Sequence, residues 1–442
     1  MNGISRWLEK YMLPIANKIG SQRHLSAVKN GFIATMPIAL VGALSVMFNN
    51  VFLNSTSLLG ELLNRMSFYA NTIQPFWDRT LIPIFGQIWW ATIAMAVLFS
   101  TFTIAYNFAK EQNEDGLAAG VIAIAAYLTL VPQVAAVDGV GDVWGLLSWN
   151  FFNSQAVFAG LITALISAEL FCFVKRKGWI IKMPAEVPPA VSKAFSAVIP
   201  AAFVLFLFSI VSIIWLNVIE MPLPEWINHM LQQPLVRLGQ SPLTLIFLMI
   251  IQQILWFFGI HGMMVIEPAL TLMYGPTLAE NTELVMQGLQ PIHVITRNFL
   301  DVYAMHGGSG ATLGLIVSIF FFSKKAQYRM LAKMAVPPGV FQINEPIIYG
   351  LPIVLNPLMV IPFVFIPAIN IFIAWFFTAV IPFAGLISVG VPWTTPPIIS
   401  AFLATNGSIT ATILAAATFA LSVILYAPFV IAANKEDTNS TT

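Results

Sequence analysis

The chain has 442 residues, of which 58% are hydrophobic and 9% charged, with a formal net charge of +1. Soluble domains are about half apolar and a quarter charged, so water is excluded as the main solvent, and the balanced charge gives no footing for nucleic acid or a broadly acidic partner. The single cysteine, Cys172, lies in an apolar run and excludes an internal disulfide framework; it has the character of a small hydrophobe rather than a reactive thiolate.

From the N-terminus, Arg6, Lys10 and Lys18 alternate with Trp7, Leu8, Met12, Leu13 and Ile15, without the apolar run and small-residue cleavage site of a signal peptide. The pattern suits a short amphipathic helix on a membrane surface. Pro14 interrupts it, which keeps an ordinary polar leader open. Apolar windows long enough to cross a bilayer, about 20 residues, then follow at Val28–Val51, Leu81–Phe108, Gly116–Val134, Gln155–Val174, Phe195–Ile219, Leu243–Ile266, Leu358–Ile381 and Ser408–Ala432, with a shorter one at Gly310–Phe322. With shorter pieces broken by Pro and Gly, these predict an all-α integral membrane protein of about ten transmembrane helices. If the N-terminus is cytoplasmic, all Lys and Arg except Arg65, Arg79, Arg237 and Arg297 fall inside, as the positive-inside rule expects, and both termini are cytoplasmic.

The longest polar break between spans runs from Lys175 to Lys193 and holds Pro184, Pro188 and Pro189. It divides the chain into a scaffold or dimerisation half with its leader, 1–180, a cytoplasmic linker, 181–194, a transport half, 195–434, and a cytoplasmic tail, 435–442. Ionisable residues inside apolar segments are scarce before the break, Glu169 being the main exception. After it come His261, Glu267, His293, Arg297, Asp301, His306 and Glu345. Two stretches of the second half, Gln290–His306 and Pro337–Asn356, carry too many Pro, Gly and polar residues for lipid-facing helices. They predict two re-entrant hairpins, because irregular backbone at membrane depth survives only against protein or a wet cavity, and such breaks point to a transporter's binding site.

Asn344-Glu345-Pro346 places a carboxylate beside a carboxamide in the second of these stretches. Intramembrane ionisable groups usually mark a substrate or ion path, and the bland reading is a Glu satisfied by backbone donors at a hairpin tip. Trp256 to Gly262 combines aromatic faces, the imidazole of His261 and two glycines, a mixture suited to stacking on a sugar ring and pairing its hydroxyls. In His306-Gly307-Gly308-Ser309-Gly310 the small residues either let backbone amides approach a ligand or simply pack helices. Arg297 and Asp301, four apart, fit mutual neutralisation. Trp393, in a Pro- and Thr-rich break, is either a second sugar platform or an interfacial tryptophan. No phosphate-binding loop, zinc motif or Cys/His cluster occurs, so no metal or cofactor is expected and a phosphoryl donor has to be another protein.

At Asn344-Glu345-Pro346, Trp256–Gly262 and His306-Gly307-Gly308 the chain resembles, over nearly its whole length, the enzyme IIC component of the phosphoenolpyruvate-dependent sugar phosphotransferase system, lactose/cellobiose/diacetylchitobiose branch. The resemblance implies a homodimer built on the N-terminal half and a β-linked disaccharide bound in each C-terminal half. It also implies separate cytoplasmic enzyme IIB, with a phosphocysteine, and enzyme IIA; Cys172 is too apolar to be that phosphocysteine. Glu345 would accept the proton of the sugar C6 hydroxyl and His261 would orient it. Trp256, Gly262, His306, Asn344 and Trp393 would hold the rest of the sugar. Two rivals stay open on the residues alone: an ion-coupled secondary sugar transporter with Glu169, Glu267, Asp301 and Glu345 as coupling carboxylates, and an intramembrane glycosyl or phosphoryl transferase using Glu345 as base.

Overall fold

The computed structural model describes residues 22–436 apart from 56, 138, 185, 352, 354, 355 and 357. The expected leader helix with Arg6, Lys10 and Lys18, and the tail beyond 436, lie outside the described residues. Among those described, seven helices are long and apolar enough to cross a membrane: Arg23–Leu53, Tyr69–Glu111, Ser154–Arg176, Pro189–Ile219, Leu300–Phe322, Val360–Val380 and Ile409–Asn434. Leu223–Gly239 and Pro242–Phe257, bent by 78° at their junction, make an eighth if the pair is one span. The chain is thus an all-α membrane protein, apart from one antiparallel hairpin of Val134–Val137 and Gly141–Trp144. About ten spans were expected. Seven or eight meet the length and apolarity of a full crossing by themselves; Gly116–Leu130, with 15 residues, is a shorter apolar helix, and other apolar windows are broken.

Two compact units form, Met1–Val41 with Trp90–Val236, and Gly42–Trp89 with Arg237–Thr442. In the first, the helices Ala96–Glu111, Gly116–Leu130, Val157–Arg176 and Pro189–Ile219 pack through Ala109, Ala119, Ala126, Phe171, Cys172 and Val204. Small residues let these helices approach closely. At Gly160 an added Cβ would lie 2.6 Å from the Thr101 hydroxyl and 2.7 Å from Val97. The helix Pro189–Ile219, which begins inside the polar break, buries Val204 and Phe208 within the first unit. Glu169, the lone acid of its helix, pairs with Arg23 at 3.1 Å and Arg176 at 3.2 Å, with His24 at 3.6 Å.

The second unit surrounds irregular backbone with helices. Leu245, Met249, Phe299, Tyr303 and Ile371 form one apolar cluster, and Ile316, Ile319, Ile347, Ile348, Phe363 and Tyr426 another. The expected hairpin at 290–306 is an irregular stretch followed by the π-helical turn Leu300–Ala304. That at 337–356 is a helix, Ala326–Val340, a turn, and a short helix, Glu345–Gly350, the remainder falling partly outside the described residues. Carboxamide side chains supply what a helix would otherwise provide. Asn281 donates to the carbonyls of His293 and Ile387, both at 2.8 Å, and accepts the amides of Ile292 and His293. Gln240 pairs with both backbone groups of Ile295, Asn298 donates to Val391 and Asn370 to Ala304. Backbone freed from a helix is costly in a bilayer, and these side chains remove that cost.

Candidate functional site

The window Leu243–Ile266 is not one span. The helix Pro242–Phe257 stops at a turn in which Gly259 takes φ +77°, and Gly262–Met286 starts anew with His261 as its cap. Imidazole Nδ1 accepts the Met264 amide at 3.4 Å, and the ring lies 4.5 Å from that of Trp256, tilted by 48°. The restart needs a glycine: a Cβ on Gly262 would stand 2.1 Å from the carbonyl oxygen of Gln252. Trp256 is 2% exposed, and its indole N–H has no acceptor among the described residues. His261 faces outward.

One turn before Trp256, on the same helical face, Gln252 donates to the Ser309 hydroxyl at 2.9 Å. Asn344 donates to the Ser309 carbonyl at 2.7 Å. Ser309 therefore links the Trp256–His261 turn to the residue preceding Glu345. Gln342 completes the frame: its oxygen accepts the amides of Gly307 and Gly308 at 2.9 and 3.1 Å, and its nitrogen donates to the carbonyls of Asp301 and Thr395 at 3.1 and 3.4 Å. Three interrupted segments, 300–310, 341–345 and 392–397, are tied by one side chain. Trp393, 48% exposed, is carried on the last of them.

Glu345 opens the helix Glu345–Gly350, where its negative charge suits the positive end of the helix. Its side chain is exposed and makes no hydrogen bond or ion pair among the described residues. The other acids of this unit named from the sequence are paired. Arg297 grips Glu267 through both carboxylate oxygens at 2.7 and 2.9 Å and reaches Asp301 only at 3.4 Å. The expected Arg297–Asp301 pair is thus the lesser half of a triad, whose stronger partner lies 30 residues away in sequence. His293 pairs with Glu280 at 2.7 Å.

Of the two readings of the glycine-rich segment, the packing one fits the geometry. The amides of Gly307 and Gly308 are taken by Gln342, so they do not face a ligand. His306 is 0% exposed, bonded to Thr418 at 2.9 Å and packed edge-on against Phe419; it shares the frame but not the open face. Gly308 has φ +93°, and a Cβ there would come 2.7 Å from the Gln342 carbonyl. Gln252 and Gln342, which join the segments, carried no sequence signal beyond being polar in apolar surroundings.

A family model described as Phosphotransferase system, EIIC matches residues 29–367. The cellobiose-specific EIIC component of Lactococcus lactis is 31% identical, with 98% of this chain and 99% of the relative covered. The oligo-beta-mannoside-specific EIIC component of Bacillus subtilis is 30% identical over 97% of this chain and 93% of its own. The crystal structure of ChbC, the IIC component of the N,N'-diacetylchitobiose-specific phosphotransferase system, superposes with a TM-score of 0.89 at 30% identity, covering 98% of this chain and 99% of that one. With apolar spans, matching length and a matching fold, the chain belongs to the EIIC family: it is a multi-pass membrane permease subunit of a sugar phosphotransferase system, which works with that system's IIA and IIB components.

Proposed function

We propose that the second unit binds a β-linked disaccharide between the Trp256–His261 turn, Asn344-Glu345 and Trp393, and presents its C6 hydroxyl to phosphorylated enzyme IIB. The observation that carries this reading is the unpaired carboxylate of Glu345, held beside a frame that Gln342, Asn344 and Gln252 make rigid. In the transfer, the C6 oxygen forms a bond to phosphorus as the phosphocysteine S–P bond breaks. The thiolate leaves, and the hydroxyl proton passes to Glu345; His261 orients the hydroxyl. Trp256 offers an indole N–H and a ring edge, Gly262 its backbone, and Trp393 a ring face. The added phosphate charge then disfavours return through an apolar path.

The sugars named for the relatives support the class: cellobiose, oligo-β-mannosides and N,N'-diacetylchitobiose are all β-linked. The charge asymmetry supports cytoplasmic termini, with the basic segments Lys175–Lys193 and Lys324–Lys333 receiving the phospho-protein. We assign the N-terminal half to dimerisation and scaffold. Cellobiose, mannobiose, lactose and diacetylchitobiose titrated into purified protein identify the substrate. Glu345→Gln keeps sugar binding within a few-fold of wild type and loses phosphotransfer, whereas His261→Ala weakens both. Normal turnover in Glu345→Gln removes its assigned role.

A further inference from the structure

We propose that the first unit carries a second carbohydrate-recognition pocket on its extracytoplasmic side, formed by Ser148, Asn150, Gln155, Glu225, Asn228 and His229. The proposal rests on the reading of the chain as a sugar permease with cytoplasmic termini. The cavity measures about 390 Å³, within the range of small-ligand sites. Two stretches wall it: the segment leading into the helix Val157–Arg176, and the turn Leu223–Gln232 that follows the helix Pro189–Ile219. Both belong to the same unit.

Hydrogen-bonding capacity is left open all around it. The side chains of Ser148, Asn150 and Gln155 have no partner among the described residues. Asn228 is 8% exposed, yet its Oδ1 has no donor there. Native buried polar groups are nearly always satisfied, so this oxygen has hydrogen-bonding capacity to spare. Glu225 and His229 face one another only at 3.8 Å, each about half exposed. The lining thus mixes amide donors, amide and carboxylate acceptors, a hydroxyl and an imidazole, while Phe151 and Pro224 add apolar surface. It contains no Lys or Arg. A phosphate or carboxylate ligand would meet Glu225 without a cation to hold it, whereas a neutral polyhydroxylated ring matches the set.

The backbone is arranged for the same purpose. Asn228–Gln232 is a π-helical turn, a widened form frequently found at functional sites. Gln232 clamps the two walls: its nitrogen donates to the Ser154 carbonyl at 2.8 Å and its oxygen accepts the Phe158 amide at 3.1 Å. None of these residues takes part in the chemistry assigned to Glu345.

A cysteine reporter tests the pocket in the full-length protein. Ser148→Cys, or independently Asn150→Cys, is labelled in right-side-out membrane vesicles with a membrane-impermeant maleimide. The native thiol Cys172 is 0% exposed, so the unsubstituted protein sets the background. At least one of cellobiose, mannobiose, lactose and diacetylchitobiose slows labelling five-fold or more, saturably, and sorbitol does not. The protection persists with Glu345→Gln or His261→Ala added and disappears with His229→Ala or Gln155→Ala. Protection by none of the four sugars overturns the proposal, as does protection lost on His261→Ala, which would be transmitted from the other site. Reporters that stay unreactive also overturn it, since a second copy or other protein then covers the pocket. Failure of the Glu345 assignment leaves this readout intact, because labelling does not depend on phosphotransfer.

Discussion

A carboxamide carries two donors and an oxygen with two lone pairs on a short stem, and Gln342 uses both ends at once. Its oxygen holds two successive glycine amides and its nitrogen reaches two carbonyls from other segments. Gln342→Leu keeps the volume and removes both functions. A buried amide left without an acceptor costs about 1–3 kcal/mol, so the thermal midpoint in detergent falls and sugar affinity drops with it. An unchanged midpoint would mean that the glycine loop is held by something else. Glu345 and His261, the proposed pair, could be singled out from the sequence because a titratable group inside an apolar stretch is rare and expensive. Gln252, Asn281 and Gln342 were not, because an uncharged amide is common in any chain and its partners here lie 57, 106 and 35 residues away.

At the level of elements, long apolar helices were read closely. The windows Gln155–Val174, Phe195–Ile219 and Ser408–Ala432 fall within Ser154–Arg176, Pro189–Ile219 and Ile409–Asn434, allowing one residue at an edge. The break at 258–261 was not, since Phe257, Phe258, Ile260 and Met263 continue the apolar run through it. Only Gly259 and Gly262 mark the place, and a glycine in an apolar helix more often serves packing. Gly262→Ala pushes its Cβ against the Gln252 carbonyl, so the helix restart shifts and the His261–Trp256 pair opens. Sugar affinity falls at least ten-fold while the protein still inserts and purifies. Gly86→Ala, inside the helix Leu81–Ala91 with nothing within 4 Å of the new Cβ, leaves both unchanged. Equal behaviour of the two variants would show that the close approach at Gly262 does not matter for the site.

Across the whole molecule, the acids that an ion-coupled mechanism would recruit are already engaged: Glu169 by Arg23 and Arg176, Glu267 and Asp301 by Arg297. Glu345 stands apart as the unpaired one among these four, which suits a base acting on a hydroxyl better than a chain of coupling sites. On the orientation proposed from the sorting of Lys and Arg, the polar break at 181–194 is cytoplasmic, so Lys182→Cys reacts with an impermeant maleimide in inside-out vesicles and not in right-side-out ones. Labelling from the outside would invert the assigned orientation. The central claim, that this permease subunit hands a disaccharide to a phosphorylating partner, is tested most directly in inside-out membrane vesicles supplied with purified IIA, IIB, the general phosphotransferase proteins and phosphoenolpyruvate. With the disaccharide enclosed in the lumen, the account predicts a C6-phosphorylated disaccharide in the outer medium, absent with Glu345→Gln; unmodified sugar moving in step with an imposed ion gradient, with no phosphorylated product, would contradict it.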